Sequence, residues 1–234
     1  MTAAAPVRAV WTDFGGVLTP PIGEDLEVFC HRAAIPVPAF RQAMAAVAEP
    51  FGGDLMAPLD TPLLTEEEWA ERMTAQLHKA GVQADLTRFG ERWFAGRRTN
   101  EAWLGHLHGL RRAGVFVGML SNMPPAWDRH WRRMVPPDGL FAGLALSFRV
   151  GARKPDRRIF EAAAGIAGVA PEECLLVDDI AANCAGAEAA GWQSLHFTDA
   201  ATAASRLARL LPGPAPTAQH PHESRGESTC HAPF

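Results

Sequence analysis

Val7-Arg8-Ala9-Val10-Trp11-Thr12-Asp13-Phe14-Gly15-Gly16-Val17-Leu18-Thr19 is the stretch on which the fold turns. Val7 to Thr12 reads as a first strand buried on both sides, the mostly apolar run expected inside a parallel sheet. An aspartate ends it, and Gly15-Gly16 turns the chain. A carboxylate at that place can ligate a hard cation or attack phosphorus to form an aspartyl-phosphate; it can also be an ordinary turn residue. The Phe14-Gly15-Gly16 turn can aim backbone N–H groups at an anion.

Three more segments follow, each after a short apolar run: Leu120-Ser121-Asn122, Lys154-Pro155 and Val177-Asp178-Asp179. Ser121 and Asn122 bring a hydroxyl and an amide that can donate to phosphate oxygens without adding charge. Lys154, its backbone fixed by the following proline, would offset the repulsion between an anionic nucleophile and an anionic substrate. Asp178 and Asp179 are adjacent carboxylates at the end of an apolar strand, where they repel each other unless a cation neutralises them. Oxygen-only ligands beside a substrate phosphate favour Mg²⁺. Ligands of a parallel sheet sit beyond the carboxyl ends of its strands, so the four segments are expected to converge on one site.

Between the first and second segments the rhythm changes. From about residue 20 to 98 the apolar residues recur at helical spacing: Leu26, Phe29 and Cys30; Phe40, Met44 and Val47; Trp69, Met73 and Leu77; Leu86, Phe89 and Trp93. Thr65 followed by Glu66-Glu67-Glu68 reads as an N-cap with an acidic first turn. Strands and helices then alternate: helix 101–113, strand 115–120, helix 127–134, strand 144–148, helix 156–167, strand 174–177, helix 183–190, strand 194–197 and helix 200–211. The expected fold is α/β: a doubly wound, Rossmann-like parallel sheet formed by residues 1–19 and 99–211, with a small α-helical cap, 20–98, inserted after the first strand. Residues 212–234, rich in proline, polar residues and histidine, read as a disordered tail. His220, His222, Cys230 and His231 lack anything that would preorganise them as ligands.

Bulk properties narrow the function. The chain has 234 residues, 47% of them hydrophobic, enough for one large domain or one domain with an insert. The net charge of -4, with both signs interspersed, gives no basic footprint for nucleic acid and no polybasic membrane patch. No apolar run approaches a membrane span, and Met1 to Ala5 does not read as a signal peptide. A cytoplasmic protein, monomer or homodimer, is expected, with Cys30, Cys174, Cys184 and Cys230 as reduced thiols.

The four segments resemble those of the haloacid dehalogenase (HAD) superfamily of hydrolases with a helical cap, over about residues 7–211. Val150-Gly151-Ala152-Arg153-Lys154-Pro155-Asp156 and Asp178-Asp179-Ile180-Ala181-Ala182-Asn183 are similar to the phosphatase-like N-terminal domain of soluble epoxide hydrolases and to bacterial sugar-1-phosphate phosphatases. The resemblance implies a Mg²⁺-dependent phosphatase acting on a small phosphorylated metabolite. Asp13 would be the nucleophile and a metal ligand, the Gly15 carbonyl and Asp179 further ligands, and Asp178 an indirect ligand or organiser of that shell. Gly16, Ser121 and Asn122 would hold the phosphoryl group, Lys154 would bridge nucleophile and phosphate, and Asn183 would orient the acidic loop or touch substrate.

Gly15 departs from the pattern, because most phosphatases of the superfamily carry there a second aspartate that protonates the leaving oxygen. Its loss implies a better leaving group, such as an anomeric or acyl phosphate, or a substitute carboxylate, with Glu24 and Asp25 at the cap entrance as candidates. Two other readings stay open: a binding module for a phosphate or diphosphate compound that does not hydrolyse it, and a metal-free dehalogenase of the 2-haloacid type, against which Asp178-Asp179 argues.

Overall fold

The computed structural model describes residues 5–61 and 63–211. The histidine-rich tail and Cys230 lie outside the described residues.

Five strands form one parallel sheet in the order β3-β2-β1-β4-β5. They are β1 (Ala9–Thr12), β2 (Phe116–Ser121), β3 (Gly143–Leu146), β4 (Cys174–Asp178) and β5 (Gln193–His196). β1 is central, pairing with β2 through Val10↔Val117 and with β4 through Val10↔Leu175. Alternation along the strands explains why they read as continuous apolar runs. Val10, Val117, Leu175 and Val177 face one buried layer, while Ala9, Trp11, Cys174 and Leu176 face another. Helices α6 (Glu101–Arg112) and α11 (Ala200–Leu207) cover the first face with Trp103, Leu107 and Leu207. Helices α9 (Arg157–Ala167) and α10 (Ala181–Ala189) cover the second with Ile159, Phe160 and Ala187. Gly118 is required where β2 passes β1, since a Cβ there would lie 2.5 Å from the Trp11 ring.

Between β1 and α6 the chain makes α1 (Ile22–Ala33), α2 (Val37–Ala48), α3 (Ala57–Asp60), α4 (Glu66–Lys79) and α5 (Phe89–Phe94). Their apolar residues meet in an aromatic cluster of Phe29, Phe40, Trp69, Phe89 and Trp93, joined by Trp127 from the segment after β2. Thr65 caps α4 as the sequence indicates: its hydroxyl accepts the Glu68 N–H at 3.1 Å and the Glu68 carboxylate accepts the Thr65 N–H at 2.9 Å. Glu66, in that same first turn, turns inward and accepts from the Trp127 indole and the Gly90 N–H, both at 3.0 Å.

Two elements end earlier than their sequence suggests. The strand expected over 144–148 stops at Leu146, and α8 (Ser147–Val150) begins there. Ser147 is drawn off the sheet by its hydroxyl, which accepts the Met123 N–H at 2.9 Å and donates to the Asp60 carbonyl at 2.7 Å. The last helix ends at Leu207 rather than Leu211. The chain beyond it folds back so that the Leu210 carbonyl accepts the Val7 N–H at 3.4 Å, below the start of β1. Trp127 likewise belongs to a short turn over Pro125–Trp127, and α7 (Asp128–Met134) starts one residue later.

Candidate active site

The carboxyl ends of β1, β2 and β4 and the loop after α8 bring Asp13, Ser121, Asp178 and Lys154 together in the interior. Lys154 is the hub, with a side chain only 1% exposed. Its ammonium donates to the Leu120 carbonyl at 2.9 Å and to Asp178 Oδ2 at 2.6 Å, and lies 2.9 Å from Asp13 Oδ1. Burial works against its charge, but Asp13 and Asp178 outweigh that and hold the ammonium firmly protonated. The Lys154 backbone is clipped by Asn122, whose Oδ1 accepts the Lys154 N–H at 2.8 Å while its Nδ2 donates to the Lys154 carbonyl at 3.0 Å. Asn122 therefore differs from the sequence expectation: its amide is committed to placing the lysine, and Ser121 is left as the hydroxyl donor of that segment.

The acidic pair divides in two. Asp178, fully buried, accepts from Lys154, from the Ile180 N–H at 2.9 Å and from Asn183 Nδ2 at 3.0 Å. Asn183 thus orients the acidic loop. Asp179 has a different environment: its Oδ1 is buried with no hydrogen-bond partner among the described residues. Burial, then the charges of Asp13 and Asp178, push its carboxyl up to about 6. Asp13 is raised as well, first by burial, with Lys154 opposing and Asp178 adding to the rise. Its Oδ1 sits beside the lysine without hydrogen-bond alignment.

Asp13, Asp178 and Asp179 each offer a carboxylate oxygen within 4.8 Å of the others. Three carboxylates this close, with Asp13 Oδ1 and Asp179 Oδ1 buried and accepting no hydrogen bond among the described residues, fit a hard divalent cation. The glycine turn allows this crowding, since a Cβ on Gly16, whose φ is +79°, would lie 2.0 Å from Asp179 Oδ2. At Gly15 the space a side chain would enter is taken by Ile22, whose Cδ1 would be 2.8 Å from a Cβ.

Over this edge lies a cavity of about 310 Å³. Asp13, Gly15, Ser121, Asn122, Lys154 and Asn183 form its floor. The insert forms its walls with Leu26, Phe40, Met44, Trp69, Phe89 and Trp93, joined by Met123 and Trp127. Ile22, Leu55 and Ile180 line it too and are the solvent-exposed apolar residues at its mouth. Among the aromatic and basic residues of the insert, Trp69, Trp93 and Arg97 line the cavity, whereas Phe29, His31, Arg32, Phe51 and Arg98 do not. The two substitutes considered for the missing acid are also absent from its lining: Asp25 is locked to Arg97 Nε at 2.6 Å, and Glu24 does not reach it. Sequence reasoning missed Asp60 and Arg153, which line the cavity together as an ion pair at 2.8 Å. Arg153 sits next to Lys154 in the sequence, but Asp60 stands in no motif.

Comparison with known proteins adds to this geometry. A family model for haloacid dehalogenase-like hydrolases matches residues 7–191. A sesquiterpene phosphatase of Aspergillus oryzae is 32% identical over 105 residues, 45% of this chain and 54% of that protein, so the match spans about half the length of that relative. A HAD-family enzyme of Bacteroides thetaiotaomicron, solved with magnesium and inorganic phosphate, aligns at a TM-score of 0.62 and 21% identity, covering 82% of this chain and 95% of that one. A HAD-like hydrolase of Porphyromonas gingivalis aligns at 0.63 and 22%, covering 88% and 99%. An L-2-haloacid dehalogenase of Xanthobacter autotrophicus aligns at 0.57 and 17%, covering 80% and 76%. At these identities the structural likeness is one of fold.

Proposed function

The chain belongs to the haloacid dehalogenase-like hydrolases, and from that membership we propose that it is a Mg²⁺-dependent phosphatase for a phosphate monoester of an apolar alcohol. The observation that carries this is the cluster of Asp13, Lys154, Asp178 and Asp179, of which Asp13 and Lys154 reach the floor of an apolar cavity. The sesquiterpene phosphatase among its relatives and the magnesium and phosphate held by a structural neighbour support the same reading.

In this mechanism an Asp13 oxygen attacks phosphorus, the bond to the leaving oxygen breaks, and the phosphoryl group passes to the carboxylate. Lys154, already charged and fixed by its three contacts, reduces the repulsion between the two anions without reorganising. The Ser121 hydroxyl and the turn at Gly15-Gly16 would hold the phosphoryl oxygens. Asp13, Asp179 and the Gly15 carbonyl would hold Mg²⁺, with Asp178 orienting their surroundings. When bound, the ion supplies positive charge that offsets the carboxylates and the phosphate. The insert would act as a cap, excluding water and gripping the alcohol with its aromatic side chains. The exposed apolar residues at the mouth suit a tail longer than the cavity. The buried free thiols Cys30, Cys174 and Cys184 accord with a cytoplasmic setting.

Gly15 favours one other reading, binding of a phosphate or diphosphate compound without hydrolysis. A phosphate-release screen over aryl, long-chain alkyl, prenyl and sugar phosphates, with Mg²⁺ or EDTA, separates the two. The proposal expects Mg²⁺-dependent release, fastest on the lipophilic esters and lost in Asp13→Asn. Wild-type rates in that variant would end it, and tight ligand binding with no release would select the binding module.

A further inference from the structure

Six ionisable side chains line the cavity: Asp13, Arg41, Asp60, Arg97, Arg153 and Lys154. Arginine does not give up a proton in a protein, and Lys154 is held charged by two carboxylates. With Asp13 as nucleophile, Asp60 is the one lining group left that can both give and take a proton. It stands at the end of α3, only 3% exposed. Two bonds fix it to the sheet edge: Oδ2 accepts from Arg153 Nη2 at 2.8 Å, and its carbonyl accepts from Ser147 Oγ at 2.7 Å. Among the described residues Oδ1 accepts no hydrogen bond. We propose that Asp60 performs the proton transfers for which position 15 has no side chain, an inference that rests on the phosphatase reading.

The charged groups around it are Arg153 and Asp54 on the two sides of their shared ion pair and Asp13 at the end of β1. Burial pushes the carboxyl up to about 7, Arg153 opposing and Asp54 and Asp13 adding. Near neutrality it therefore exists in both states, as a group that acts first as acid and then as base requires. In the first step the phosphorus–oxygen bond to the alcohol breaks as the bond to Asp13 forms, and Asp60 gives its proton to the departing oxygen. In the second, the Asp60 carboxylate takes a proton from water as that water attacks phosphorus. The bond to Asp13 then breaks, and inorganic phosphate leaves with Asp60 protonated again.

Asp60→Asn tests this, because it keeps the size of the side chain and an acceptor for Arg153. The rate of the first step, phosphoryl transfer to Asp13, is measured in single turnovers of an alkyl phosphate, whose leaving oxygen needs a proton, and of p-nitrophenyl phosphate, whose leaving group does not; the second step, common to both esters, is thereby kept out of the comparison. The expected loss is about 10²–10⁴-fold on the alkyl ester and under about 10-fold on the aryl ester. Equal loss on both esters would make Asp60 a structural tie, and full activity on both would make it idle; either overturns the inference while leaving the phosphatase reading intact. Wild-type protein that releases phosphate from neither ester overturns both. Should the variant not fold, wild-type pH profiles decide. The first-step rate on the alkyl ester should fall as pH rises through about 7 while that on the aryl ester does not, and parallel first-step profiles would contradict the assignment.

Discussion

The carboxyl edge of the sheet and the helical insert above it are both buried, yet they are built on opposite principles. At the edge, Lys154, Asp178, Asn122 and Asn183 are bound to one another by directed contacts of 2.6–3.2 Å, and Asp13 Oδ1 is ion-paired to the lysine at 2.9 Å. In the insert, Phe29, Phe40, Trp69, Phe89 and Trp93 pack with ring centroids 4.8–6.3 Å apart and interplanar angles from 27° to 80°. Directed bonds leave few alternatives, since a missing partner strands a buried charge. Aromatic packing tolerates rearrangement. The edge should fail abruptly when altered, and the insert by degrees.

The largest expected effect lies at the edge. Lys154→Met leaves Asp13 and Asp178 without their shared cation, and removing one partner of a buried ion pair typically costs about 3–5 kcal/mol. Urea unfolding should show that loss together with loss of turnover; an unchanged midpoint would mean that the carboxylates do not depend on the lysine. Trp93→Leu, in the insert, should keep kcat on a lipophilic phosphate and raise its KM by about 10-fold, the signature of lost uniform binding. A fall in kcat with constant KM would show that the Trp93 side chain takes part in the chemistry rather than the grip. Thr65→Ala, in the insert but off the cavity lining, removes one half of the α4 capping box and should cost about 1 kcal/mol of stability with kinetics intact.

The same contrast explains what could be read from the sequence. Asp13, Ser121, Lys154 and Asp178-Asp179 each stand at the end of a strand or just after a sharp turn, so period and punctuation exposed them, and the parallel sheet made their convergence a matter of topology. Asn122 was legible as a site residue but its task was not, because only coordinates reveal that both ends of its amide meet the Lys154 backbone. Asp60 was silent. It lies in Ala57-Pro58-Leu59-Asp60-Thr61, which has no motif and no helical period, and its partner Arg153 is 93 residues away. The helices of the insert were visible from their apolar spacing, but which of their aromatic side chains reach the cavity depends on how those helices cross. Ser147 shows the limit at an element boundary: an apolar run that extends a strand on paper ends where a hydroxyl finds two backbone partners off the sheet.

The central claim is that Asp13 itself receives the phosphoryl group. Acid-quenched turnover of a lipophilic phosphate monoester in Mg²⁺, followed by peptide mass spectrometry, tests it most directly. The account predicts a phosphoryl group on Asp13 during turnover and none in the Asp13→Asn protein, which should also release no phosphate. Steady release of phosphate with Asp13 never modified, or with asparagine in its place, would contradict it.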